Sequence, residues 1–82
     1  MNDLLLERIV RCVESSIENP VVEITAESRL QEDLSMTSLE LVMLQIALEE
    51  EFSISFDPIN DDFGLIFQTV SSVYRFVKER LE

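Results

Sequence analysis

Apolar residues recur three and four positions apart along most of this chain, a spacing that restricts it to packed helices. Leu6, Ile9, Val10, Val13 and Ile17 share one face of a helix expected from about Asp3 to Glu18. Asn2 or Asp3 would cap that helix and Asn19-Pro20 would stop it. The stretch from Ser38 to Phe52 carries two stripes, Leu39, Val42 and Ile46 on one line and Leu41, Leu44 and Leu48 on another. A helix apolar over more than half its circumference is expected to have neighbours on several sides. A short helix is expected from about Asp61 to Phe67. A last helix is expected from about Thr69 to Leu81, with Val70, Val73, Phe76, Val77 and Leu81 facing inward. The fold class that follows is all-α, a small four-helix bundle of three longer helices and one short helix.

Such a bundle accounts for the whole length. With 82 residues the chain reads as a single domain, 1–82, with one core. Hydrophobic residues make up 46% of it, enough to fold. The single cysteine, Cys12, allows no internal disulfide, so apolar packing must hold the fold. Cys12 itself reads as a small buried residue on a helix. The chain has no histidine, and with it lacks the commonest general base and the commonest metal ligand. No nucleophile–base pair is apparent and no mass is left for a deep cleft, so an enzyme is not expected.

Charge narrows the partners. Seventeen acidic and six basic residues give a net charge of −11, which disfavours nucleic acid and anionic membrane surfaces. A basic protein partner is the natural complement. The amino-terminal MNDLLLERIV holds only three consecutive leucines before Glu7 and Arg8, too few for a signal peptide or membrane span. A cytoplasmic monomer is therefore expected. Between Arg29 and Arg75 there is no basic residue but nine acidic ones: Glu32, Asp33, Glu40, Glu49, Glu50, Glu51, Asp57, Asp61 and Asp62. A solvated face explains mixed charge better than a run of one sign, because self-repulsion costs stability. Part of this run is therefore expected to dock a basic partner. Glu49, Glu50 and Glu51 end a helix, where the dipole disfavours negative charge, so an Arg, Lys or divalent ion should relieve them. Asp57, Asn60, Asp61, Asp62 and Gly64 do not make a calcium loop, since Ile59 takes an oxygen-ligand position and Gly64 comes too late. No metal site is expected.

The connection VVEITAESRLQEDLSM is not periodic. Thr25 can open a turn through Ser28, and Val21, Val22, Ile24, Leu30, Leu34 and Met36 are apolar enough to anchor the segment on the core. It leads to Thr37-Ser38-Leu39-Glu40, which fits the capping box S/T-x-x-E. Thr37 would be the N-cap, worth roughly 1 kcal/mol, and Ser38 the first helical residue. Spacing alone reads Ser38 as a solvent-facing serine. The free N–H groups and dipole of a helix start would also stabilise a phosphoester there. Without histidine, and with Ser38 among acidic groups, any chemistry on that hydroxyl would need another enzyme.

The stretch DLSMTSLELVMLQIALEEEF, residues 33–52, resembles the signature of the acyl carrier protein family. Asp33-Leu34, Ser38-Leu39 and Leu48-Glu49-Glu50-Glu51-Phe52 carry the likeness at matching spacing, and a weaker likeness covers nearly all of the chain. The resemblance implies that a phosphopantetheinyl transferase attaches 4′-phosphopantetheine from coenzyme A to Ser38. The arm's thiol would then hold an acyl, aminoacyl or polyketide chain as a thioester, presented to acyl-loading, condensing or transferring enzymes with basic docking patches. The expected docking residues are Glu40, nearest Ser38, with Thr37, Leu39, Met43, Glu49 and Glu50. Met36 and Met43 read equally as core filler or as a soft apolar contact for partners or cargo. The chain departs from the family where Thr37 replaces the usual aspartate, Ser35-Met36 the usual glycine-alanine pair, and Met43 a glutamate that many fatty-acid carriers use in docking. These departures imply a specialised biosynthetic partner in a polyketide, nonribosomal peptide or fatty-acid type pathway. The rival reading is a carrier-like acidic helical adaptor that binds a basic partner without any prosthetic group.

Overall fold

Every helix begins at a residue whose side chain accepts hydrogen bonds from its first turn. The computed structural model describes residues 3–18 and 23–82. Helix α1 spans Leu4–Ser16, and Asp3 Oδ1 accepts the N–H groups of Leu5 and Leu6 at 3.1 and 3.2 Å. Helix α2 spans Ser38–Phe52 behind Thr37. Helix α3 is the single turn Phe63–Ile66, capped by Asp62. Helix α4 spans Val70–Leu81, where Thr69 and Ser72 form a second capping box. No strand occurs among the described residues, and one isolated bridge pairs Arg29 with Thr69. The all-α expectation therefore holds, with three longer helices and a short one.

Two ends differ from the sequence reading. Helix α1 stops at Ser16 rather than Glu18, because Ile17 turns extended (φ −96°, ψ 131°) and lies half-buried against the core. The Ser15 and Ser16 hydroxyls both donate to the Cys12 carbonyl and close the last turn. Asn2, Asn19-Pro20, Val21 and Val22 lie outside the described residues. Helix α3 is shorter than 61–67 because Asp62 caps it from outside while Asp61 is drawn to Arg80.

The core is a layer of fully buried aliphatic side chains. Ile9 and Val13 come from α1, Leu44 and Leu48 from α2, and Val70, Val73 and Val77 from α4. Leu30 enters from the first loop, and Leu34 and Met36 are also buried. Each such side chain contributes about 1.5–3 kcal/mol by leaving water. Cys12 is buried with them, and that burial raises its thiol pKa. Phe76 is half-buried, stacked on Phe56 at 4.8 Å between ring centres. Phe56 also meets Phe63 edge-on at 5.7 Å and Phe67 at 5.5 Å, which fastens the short α3 to α4. Leu81, expected inside, is 49% exposed at the end of α4, beyond the reach of the other helices.

The larger correction concerns α2. Leu44, Leu48 and Phe52 are buried, but Leu39, Val42 and Ile46 are not. Three long helices leave α2 neighbours on one side only, so the stripe of Leu39, Val42 and Ile46 faces solvent rather than another element.

The start of α4 holds the described part of the first loop, residues 23–37. Leu30 N–H donates to the Gln68 carbonyl, Val70 N–H to Ser28 and Ser71 N–H to Ala26. The expected turn at Thr25 is present, with Ser28 N–H bonded to the Thr25 carbonyl and Thr25 N–H donating to the Ser28 hydroxyl. Arg29 forks onto Asp33, whose carboxyl it holds below the ordinary value. From Thr25 onward the chain thus reaches α2 along a fixed path.

Candidate functional site

At the start of α2 the local sequence sets the geometry. Thr37 Oγ1 accepts the Glu40 N–H at 3.1 Å, and Glu40 Oε1 accepts the Thr37 N–H at 2.9 Å. The capping box read from the sequence is present on both sides. Glu40 Oε2 also accepts the Glu18 N–H at 3.1 Å, joining the exit of α1 to the entry of α2. The Glu40 carboxyl is held below its ordinary value, first by the Thr37 N–H and then by the Glu18 N–H. Two residues before the cap, Ser35 adopts φ 55°, a left-handed conformation that favours glycine. The resemblance noted above puts the family's usual glycine at this position.

Ser38 follows as the first residue of α2, with an exposed side chain. Beside it lies an open groove of about 260 Å³ lined by Ser38, Leu41, Val42, Gln45, Phe63, Gly64 and Phe67. A larger depression of about 460 Å³ lies between α1 and α2, but Arg8, Arg11, Glu50 and Glu51 line it with charge of both signs, and it does not include Ser38. The smaller groove is the one that a group on Ser38 would meet.

The expected docking residues separate into two sets. Thr37 is exposed but engaged in its cap, and both Glu40 oxygens accept backbone N–H groups. Glu49 Oε2 accepts the Phe56 N–H at 2.9 Å. Leu39 is 69% exposed and Met43 49%, whereas Met36 is core filler at 4%. Glu50 is exposed.

Much of the acidic run has an internal explanation that sequence reasoning missed. Asp33 and Glu32 pair with Arg29, Glu51 with Arg8, and Asp61 with Arg80. Asp57 takes the Ile59 and Asn60 N–H groups, and Asp62 the Leu65 N–H. Arg8 also donates to the Glu51 carbonyl and lies over the Phe52 ring at 4.5 Å, so this chain's own cation relieves the acidic end of α2. Of the nine carboxylates, only Glu50 accepts no hydrogen bond or ion pair among the described residues. The described residues contain no cluster of acidic or sulfur side chains that could hold a metal ion.

The acyl carrier proteins of Rickettsia typhi and Rickettsia massiliae are each 35% identical to this chain over 78 residues, covering 95% of it and 87% of their own length. The chain belongs to the acyl carrier protein family. The acyl carrier protein of Rickettsia canadensis matches at the same identity and coverage. No family model matches the chain. No solved structure matches it either. In this fold Ser38 lies where the exposed start of α2 meets the apolar groove.

Proposed function

We propose that this chain is an acyl or peptidyl carrier, acting as one unit over 1–82, that holds a biosynthetic intermediate on a 4′-phosphopantetheine arm attached to Ser38. The observation that carries this reading is the Ser38 hydroxyl, exposed at the first position of a fifteen-residue helix. Backbone N–H groups at such a helix start favour a phosphodiester. Both Glu40 oxygens are engaged with Thr37 and Glu18, which lowers the repulsion a phosphate would meet. The groove from Ser38 to Phe67 offers an apolar surface for the arm or the first atoms of its cargo. When attached, the group supplies the thiol that carries the cargo as a thioester. The chain's own part is to present Ser38, to keep its helix start fixed and to offer docking surface. It performs no catalysis of its own and meets a phosphopantetheinyl transferase and then acyl-loading, condensing or transferring enzymes, in the cytoplasm and as a monomer. No described helix is long and apolar enough to cross a membrane. Met43 and Thr37, which replace acidic residues of fatty-acid carriers, favour a specialised pathway.

Incubation of the purified protein with coenzyme A and a broad-range phosphopantetheinyl transferase tests the reading by intact mass. Uptake of one phosphopantetheine, abolished in Ser38→Ala, is expected. An unchanged mass with every transferase of the native host would favour the adaptor without a prosthetic group.

A further inference from the structure

Gly64, the chain's one glycine, has no conformational reason to be glycine. It sits inside α3, and its φ is not positive. A Cβ added there would meet nothing closer than Asp62 Oδ1, at an ordinary contact distance of 3.4 Å. Glycine within a helix costs stability relative to alanine. What the missing side chain leaves open is the ground between two depressions. The groove beside Ser38 and a second depression of about 320 Å³ share Gly64 and Phe67 as walls. Arg29, Gln31, Glu32, Gln68 and Thr69 line the rest of the second one, which is polar where the first is mostly apolar. Its backbone is fixed, because Arg29 bridges to Thr69 and the Leu30 N–H donates to the Gln68 carbonyl at 3.1 Å.

We infer that Gly64 is the pass over which cargo tethered to Ser38 reaches this polar depression, and that the depression selects an acyl group with a neutral hydrogen-bonding substituent, such as a hydroxyl, over a plain alkyl chain; the inference rests on the carrier reading above. Helix α3 is a single turn of four residues, about 6 Å long, so the second depression begins within reach of a group anchored at the start of α2. The carboxamides of Gln31 and Gln68 are exposed and have no partner among the described residues, so each is free to donate and to accept. Arg29 is already held by Glu32 at 2.6 Å and by Asp33 at 3.1 Å. Two carboxylates around one guanidinium leave no positive charge to attract an anionic cargo. An alkyl chain would displace water from these polar groups without replacing its hydrogen bonds. A neutral substituent that both donates and accepts meets neither penalty.

Nuclear magnetic resonance of the isotope-labelled protein tests this. A broad-range transferase loads it from 3-hydroxybutyryl-coenzyme A or from butyryl-coenzyme A, cargoes of equal length that differ in one hydroxyl, and intact mass confirms that each sample is loaded. The hydroxyl cargo alone should shift the side-chain amide signals of Gln31 and Gln68. Ser15 and Ala47, in the depression between α1 and α2, should respond to neither cargo. Gly64→Leu, which fills the pass, should abolish the difference between the two cargoes. Should Gly64→Leu not fold, Gly64→Ala, for whose Cβ the protein has room, takes its place and should reduce the difference. Gln31 and Gln68 signals that respond equally to both cargoes or to neither, or a difference that survives Gly64→Leu, would overturn the inference while leaving the carrier reading intact. A wild type that takes up nothing from either thioester or from free coenzyme A would overturn the carrier reading and this inference with it.

Discussion

Glu40 Oε2 accepts the backbone N–H of Glu18 at 3.1 Å, so one carboxylate both caps the helix of Ser38 and holds the end of α1 against it. Glu40 is therefore a positioning residue as much as a surface charge. Its folded pKa lies below the ordinary glutamate value of 4.5. A depressed carboxylate stabilises the fold above its unfolded pKa, and that contribution disappears as pH falls through the folded value. Wild type is expected to lose more stability than Glu40→Gln between neutral pH and the acid side of the carboxylate range. Urea midpoints of both proteins across that range check it, and equal losses would contradict it.

Ser35 holds φ 55° where glycine is at ease. Ser35→Gly should raise stability by about 0.5–1 kcal/mol, because relief of the left-handed strain exceeds the added freedom of the unfolded chain. Chemical denaturation measures it, and a less stable variant would mean that the serine is favoured there by some other contact.

The two faces of α2 should respond oppositely to truncation. Leu44 is fully buried, and Leu44→Ala is expected to cost about 2–5 kcal/mol. Leu39, 69% exposed, should change stability by less than about 0.5 kcal/mol when made alanine. Thermal or urea unfolding of the pair tests which stripe faces the core.

Thr37 carries the other half of the capping box. Thr37→Ala should cost about 1 kcal/mol, and Thr37→Asp, which restores the family's usual residue and its capping oxygen, should leave the fold at least as stable. Faster modification of Thr37→Asp by a broad-range transferase would support the proposal that the missing charge sets this chain apart from general fatty-acid carriers.

Those experiments fall on a start of α2 that was readable from residues 37–40, because a capping box is built within four positions. The helix order was readable for a similar reason, since caps such as Asp3, Asp62 and Thr69 act locally. The two stripes of α2 were harder to tell apart. Apolar residues circle that helix, so periodicity alone could not decide between the Leu44–Leu48 line and the Leu39–Ile46 line. The internal ties of the acidic run were hidden for a different reason. Two of its partners lie far along the chain, Arg8 for Glu51 and Arg80 for Asp61, while Arg29 and nearby backbone N–H groups answer Glu32, Asp33, Asp57 and Asp62 locally. Only folding brings the two distant pairs together. Sequence could see nine negative charges but not that eight of them are answered from within.

The carrier account rests on a covalent group at one hydroxyl. Peptide mapping by tandem mass spectrometry of the protein purified from its native host examines that bond directly. The account requires phosphopantetheine, bare or loaded, on the peptide containing Ser38 and on that residue. A Ser38 peptide found only unmodified, in cells where other carriers hold the arm, would contradict it.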